Sequence, residues 1–187
     1  LTIYGDLDVS IIDELPAGRM PIKTKWIKNE AERQKMYNFI AKKIKEGRQV
    51  YVVSPLIEES ETLNVKSAQE TFEEYSGIFP NRRIGLIHGK QNYKEKQEVM
   101  SKFKKHELDI LVSTTVIEVG VNVPNASIMV IRDAQRFGLS SLHQLRGRVG
   151  RGQYQSYCFL ESETDNELSA RRLEVMEKTT DGFKIAE

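Results

Sequence analysis

The sequence has 187 residues, 39% of them hydrophobic and 29% charged, the size and composition of one globular core with a tail. Lysine plus arginine (28) nearly cancels aspartate plus glutamate (27), so nothing at whole-chain level points to a polyanionic partner and any basic site has to be local. A single cysteine, Cys158, excludes an internal disulfide, and no apolar run approaches the roughly 20 residues that span a bilayer, so a soluble protein of a reducing cytoplasm is expected.

Residues 1–21 carry no clear period and end in Pro and Gly punctuation, which predicts an extended connector. IKTKWI (22–27) alternates polar and apolar, as an edge or half-exposed strand does. Next, Asn29 is an N-cap, Met36, Phe39, Ile40 and Ile44 share one stripe, and Gly47 is a stop, so an amphipathic helix is predicted. QVYVVSP (49–55) is a continuous apolar run of the kind buried on both faces of a parallel sheet. The chain then alternates: helix over 66–79, strand over 83–89, helix over 93–106, strands over 109–114, 126–131 and 155–161, and helix over 166–180. Strands separated by helices of about a dozen residues predict βαβ crossovers, hence an α/β fold whose parallel sheet has helices on both faces. Starting at Leu1 rather than Met and stopping at Glu187 with no turn signal, the sequence is expected to be a piece of a longer chain.

In such sheets ligands meet the loops that leave the C-terminal ends of the strands. Here those loops are SPLIEES, HGKQ and STTVIEVGVNVPNA, which combine small or hydroxylic residues with helix starts whose free N–H groups favour phosphate. Ser113, Thr114 and Thr115 offer hydroxyls suited to phosphate or sugar oxygens, although the same residues suit a helix cap. Gly120, Asn122 and Pro124 make a tight turn that brings backbone close to a ligand, or simply ends a strand.

The stretch QLRGRVGRG (144–152) sets Arg146, Arg148 and Arg151 on a backbone loosened by Gly147 and Gly150. Guanidinium forks match the oxygens of a phosphate, and several of them can converge from a turn on one small anion. A solubilising patch is the bland alternative. It does not explain why the chain tolerates close like charges together with glycines that each weaken a helix by about 1 kcal/mol.

These segments, in this order, resemble superfamily 2 helicases. HQLRGRVGRG (143–152) is similar to motif VI, ILVSTTVIEVGVNVPNASIMVI (110–131) to motif V, and YVVSPLIEES and IGLIHGK to motifs IV and IVa. More narrowly, LTIYGDLDVSIIDELPAGR, RQVYVVSPLIEESE, STTVIEVGVNVPNA and RFGLSSLHQLRGRVGRG resemble the RecG-type family of ATP-dependent DNA helicases, through almost the whole chain. The tail SARRLEVMEKTTDGFKIAE resembles the start of the helical-hairpin translocation motif that this family shares with the transcription-repair coupling factor.

The resemblance implies a RecA-like, P-loop NTPase-type second motor domain over 22–161, entered by the connector 1–21 and followed by the truncated hairpin over 162–187. In that family ATP lies between two such domains, which makes Arg148 and Arg151 the expected contacts to its γ-phosphate. Gln144 and Arg146 are expected to couple the cleft to the translocating elements, and Gly120 and Asn122 to approach the ribose. The family usually has aspartate at the place of Asn122; an amide still accepts a hydroxyl hydrogen bond but brings no charge. Ser54, His88, Gly89, Thr114 and Thr115 fall where the family's second domain meets DNA backbone. The implied partners are branched double-stranded DNA, such as forks and Holliday junctions, and the first RecA-like domain of the same polypeptide, with no membrane, in the bacterial cytoplasm at the nucleoid. The implied cofactors are ATP and Mg²⁺, held mainly by that first domain.

No G-x-x-x-x-G-K-[ST] loop and no D-E-x-H box occurs in the sequence, so hydrolysis by this chain alone is not expected. His88, His106 and His143 are far apart with no ligand-spaced partners, so no metal site is expected. Lysines 90, 94, 96, 102, 104 and 105 suit either a DNA track or a solvated helix face, since Glu95 and Glu98 interleave with them. Two other readings remain: the corresponding domain of a coupling-factor translocase, and a non-catalytic nucleic-acid-binding or docking module of the same fold.

Overall fold

A computed structural model of the chain describes residues 20–57, 60–114 and 123–179. The β-rich runs form six strands: β1 (Lys23–Ile27), β2 (Gln49–Val53), β3 (Ile84–Ile87), β4 (Ile110–Ser113), β5 (Ala126–Ile131) and β6 (Tyr157–Glu161). They join in one sheet of order β1-β6-β5-β2-β4-β3, and every pairing in it is parallel. The central strands β2, β4 and β5 are buried along their whole length, as a sheet covered on both faces requires. Strand β1 lies at an edge, as its alternating pattern predicts.

Side chains alternate between the two faces of the sheet and so between two cores. Val50, Val52, Ile128, Val130 and Phe159 point to one face and are covered by helices α1 (Glu30–Lys45) and α2 (Glu61–Ile78) through Met36, Ile40, Ile44, Tyr75 and Phe79. Tyr51, Val53, Met129, Ile131, Cys158 and Leu160 point to the other. There they meet α3 (Tyr93–Lys104), α4 (Leu139–Arg146) and α5 (Glu167–Lys178) through Met100, Phe103, Leu142, Leu145, Leu173 and Met176. Cys158 is fully buried and its thiol is pushed up to about 12 by that burial, the environment of an inert core residue.

Three departures from the sequence reading have local causes. Helix α2 starts at Glu61 rather than 66, because the Ser60 hydroxyl accepts the Leu63 N–H at 3.1 Å and nucleates an earlier turn. Helix α4 has no counterpart in the predicted elements; its eight residues are too few for a clear periodic stripe. A 3₁₀ turn, Ala134–Arg136, follows Asp133, which sits at φ 50°. Helix α5 agrees with the predicted tail helix and closes the exposed edge of the sheet: the free N–H of Trp26 on β1 donates to Glu177 Oε2 at 2.7 Å.

Candidate functional site

The C-terminal ends of β2, β4 and β3 are neighbours in the sheet, so Ser54, Thr114, His88 and Gly89 come together on one edge. Ser54 and Thr114 are buried there. Ser54 donates both its N–H (2.9 Å) and its hydroxyl (3.2 Å) to the Ser113 carbonyl, and Thr114 N–H reaches Ile87 O at 3.2 Å. His88 is half-buried, and its Nδ1 accepts the Lys90 N–H at 3.2 Å, which leaves Nε2 to carry the proton outward. Burial lowers its pKa, with Lys96 and Lys90 adding to the effect against Glu95 and Glu61, which favours the neutral ring. A Cβ at Gly89 would lie 2.5 Å from Glu61 Oε2, the far end of a flexible side chain in the first turn of α2. Thr115 lies outside the described residues.

Helix N-termini were expected to face phosphate on this edge, and in two of them a side chain already takes one of the N–H groups. Ser60 caps α2, and a capping box caps α3, in which Asn92 Oδ1 accepts Glu95 N–H at 2.8 Å while Glu95 accepts Asn92 N–H at 2.9 Å. Glu61 and Glu95 place negative charge in the two first turns. Side-chain donors on this edge are the His88 imidazole and Lys90, whose ammonium rests on the Thr62 hydroxyl at 3.0 Å.

At the other candidate region, α4 carries Gln144 on its exposed side and ends at Gly147. Its three arginines do not converge as the spacing suggests. Arg146 turns inward and is buried, donating from Nη1 to Thr24 Oγ1 (3.1 Å) and Met176 O (3.0 Å) and from Nη2 to His143 Nδ1 (3.2 Å). It thereby ties α4 to β1 and to α5. Arg148 is half-buried and Arg151 exposed, the latter donating from Nε to Gly147 O at 3.3 Å. The Arg148 N–H donates to Leu145 O at 3.0 Å, while its guanidinium has no hydrogen bond or ion pair among the described residues. Both act on Tyr51 in the middle of β2, whose hydroxyl is pushed up to about 12 by burial and partly pulled back by Arg148 and Arg151. The two guanidinium groups therefore belong to the sheet face that carries α3, α4 and α5. Gly120 and Asn122 lie outside the described residues.

Two glycines hold this loop in shape. Gly150 sits at φ 83°, in the left-handed region that side chains avoid, and a Cβ at Gly152 would come within 2.5 Å of Pro124 O and 3.1 Å of its carbonyl carbon. That neighbour is backbone and cannot rotate away. Gly152→Ala is expected to destabilise the chain by about 1–3 kcal/mol, read as a lower urea midpoint at unchanged m value. A midpoint equal to wild type would mean that the loop is free to shift.

Sequence reasoning found the arginines but not their surroundings. Tyr51 reads as one more apolar residue in a buried strand, and Thr24 and Met176 lie 122 and 30 residues from Arg146, a contact no local pattern encodes. The stack of Arg48 on Tyr154, with Cζ 3.4 Å from the ring centroid, is equally non-local. Among the described residues no three His, Cys, Asp or Glu side chains form a metal-binding group, and no helix is long and apolar enough to cross a membrane.

The helicase conserved C-terminal domain matches residues 31–153. Over its whole length the chain is 56% identical to the ATP-dependent DNA helicase RecG of Aquifex aeolicus and 50% identical to that of Bacillus subtilis. It spans about a quarter of those relatives, covering 24% and 27% of them. A solved structure of RecG bound to a three-way DNA junction superposes with a TM-score of 0.74 at 42% identity, over 91% of this chain and 22% of that one. Domain 2 of the Mss116p DEAD-box helicase, bound to an RNA duplex, gives a TM-score of 0.62 at 21% identity over 88% of this chain and 62% of that one, a likeness of fold alone. The sheet is thus of the RecA-like kind.

Proposed function

We propose, on the premise that this chain belongs to the helicase conserved C-terminal domain family, that it is the second RecA-like motor domain of a RecG-type ATP-dependent DNA helicase. In this reading the first motor domain of the same polypeptide holds ATP and Mg²⁺, and the present domain closes over them. The motor domain occupies 22–161, the connector 1–21, and residues from 162 open the translocating hairpin. The substrate is branched duplex DNA of the fork or Holliday-junction type, in a bacterial cytoplasm.

The observation that carries the reading is the disposition of Arg148 and Arg151 beside Tyr51, with the Arg148 guanidinium unpartnered among the described residues. A half-buried guanidinium without a partner fits an anion brought by another domain, and the charge of a triphosphate supplies one. ATP with Mg²⁺ supplies the phosphoryl group whose transfer drives the cycle. Arg148 and Arg151 donate to its γ-phosphate and stabilise charge that grows during transfer, the part for which an arginine finger in GTPases is worth about 10³ to 10⁵ in rate. Gly120 and Asn122 flank the ribose. On the other edge, neutral His88 donates from Nε2 to a DNA phosphate, and Gly89, Ser54, Thr114 and Thr115 bring backbone and hydroxyls to the same strand. Arg146 links the two activities, because its bonds join the arginine helix to α5. Gln144 shares that role from the exposed side of α4.

The test is to measure DNA-stimulated ATP hydrolysis by this chain, by the polypeptide segment that precedes it, and by the two joined. Turnover is expected only from the joined polypeptide. Hydrolysis by this chain alone, or a joined polypeptide indifferent to branched DNA, contradicts the assignment.

A further inference from the structure

The N-terminal edge of the sheet, opposite Ser54, His88 and Thr114, carries a groove of about 560 Å³. Three loops line it: 47–49 before β2, 104–106 before β4 and 123–125 before β5. Side-chain amides tie these loops together. Gln49 Nε2 donates to Phe103 O (2.7 Å) and Leu108 O (2.8 Å), and Asn125 Nδ2 donates to Gly47 O (2.8 Å) and Gln49 Oε1 (2.9 Å). The groove is therefore preformed.

Its charge is segregated from that of a nearly neutral chain. Arg48, Lys104 and Lys105 line it together with His106, and no carboxylate does. The acids on the bordering loops are engaged or face elsewhere: Glu46 pairs with Lys43 at 3.3 Å, Asp109 with Arg83 at 3.1 Å, and Glu107 faces the next depression along α3. Arg48 lies flat on Tyr154, and its Nη2 donates to Glu46 O at 3.4 Å, which holds a half-buried cation at the wall of the groove. A guanidinium held in place by neutral partners keeps its full charge for an anionic ligand. No Phe, Tyr or Trp side chain lines the groove, which favours phosphate over base.

Helix α3 joins this groove to the opposite edge. It starts beside His88 and Gly89 and ends at Lys104 in the groove, a run of about 18 Å for its 12 residues. Lys94, Lys102 and Lys105 share one outer surface of it with Glu98 and Glu107, so the cations outnumber the carboxylates there by one, while Glu95 is held in the capping box. Three cations on two segments, Arg48 before β2 and Lys104 with Lys105 at the end of α3, suit successive phosphates rather than one ion. We propose that the groove is a second contact for the backbone of duplex DNA, separate from the C-terminal edge. This inference rests on the DNA-motor reading above for the identity of the polyanion.

The test measures binding of labelled duplex DNA to this 187-residue chain by fluorescence anisotropy across a salt series. The groove variant is Arg48→Gln/Lys104→Gln/Lys105→Gln; the charge-matched control is Lys42→Gln/Lys45→Gln/Lys66→Gln on α1 and α2, and a third arm is His88→Ala. All are checked for wild-type circular dichroism melting. The groove variant is expected to flatten the slope of log K against log[salt] by about 2 to 3, at about 0.9 per phosphate contact, with little change in the control. A groove variant with the wild-type slope, equal losses in both triple variants, or a wild-type chain that binds no duplex overturns the proposal. Displacement of duplex by ATP from wild type would identify a nucleotide site instead and overturn it too. Loss in His88→Ala alone leaves the motor reading standing and this one fallen, whereas loss in the groove variant alone does the reverse for the C-terminal-edge contact.

Discussion

Arg148→Ala and Arg151→Ala, each made in the longer polypeptide that carries the first motor domain, are expected to lower DNA-stimulated kcat by about 10³-fold or more, roughly 4 kcal/mol of barrier. Affinities for ATP and for DNA should change by much less, because charge on the transferring phosphoryl group is greatest in the transition state. Arg151→Lys should recover little, since an ammonium offers a point charge where a planar fork is needed. The stability of both alanine variants should equal wild type within about 0.5 kcal/mol: neither guanidinium is buried, and that of Arg148 has no partner among the described residues to lose. Steady-state ATPase assays and a urea titration separate these quantities. A variant with full turnover, or one whose lost turnover tracks lost stability, removes the finger role.

The opposite profile is expected of the third arginine. Arg146→Met keeps the length of the side chain but deletes its bonds to the Met176 carbonyl, the Thr24 hydroxyl and His143 Nδ1. The loss of bonds donated by a charged group puts the cost at about 2 kcal/mol in this chain, without any nucleotide or DNA present. Hydrogen exchange should place the loss first in α5, with β2 protected as in wild type, because the Met176 carbonyl is the only one of these partners on a terminal helix. A loss below about 0.5 kcal/mol, or one spread evenly over the sheet, would mean that α5 is held by its apolar contacts alone.

The contrast between these arginines marks where sequence reading stops. Alternation of buried strands with amphipathic helices made the parallel sheet legible, and Asn29 and Gly47 bounded α1 correctly because caps act within one turn. Helix α4 was not legible, since eight residues ending at a glycine give little periodicity and its two buried leucines are explained only by the far side of the sheet. The cluster 146–151 was visible as charge, yet spacing alone could not tell that Arg146 turns to Thr24 while Arg148 and Arg151 stay outside. Burial sorts them, and burial is a tertiary property. Likewise the helix N-termini looked open in sequence because a serine or asparagine ahead of a glutamate reads equally as a ligand or a cap, and here Ser60 and Asn92 are caps. The groove at the opposite edge was legible only in part: Lys104 and Lys105 read as a DNA track or a solvated face, and Arg48 and the loop 123–125 join them only because β5, β2 and β4 lie side by side in the sheet.

The account stands most directly on where Arg148 and Arg151 go when the motor closes. A crystal structure of the longer polypeptide with ADP, aluminium fluoride, Mg²⁺ and duplex DNA would locate them. At least one of the two guanidinium groups is expected within about 3 Å of the fluoride that mimics the transferring phosphoryl oxygens. Both side chains in open solvent, with the fluoride held by the first domain alone, would contradict it.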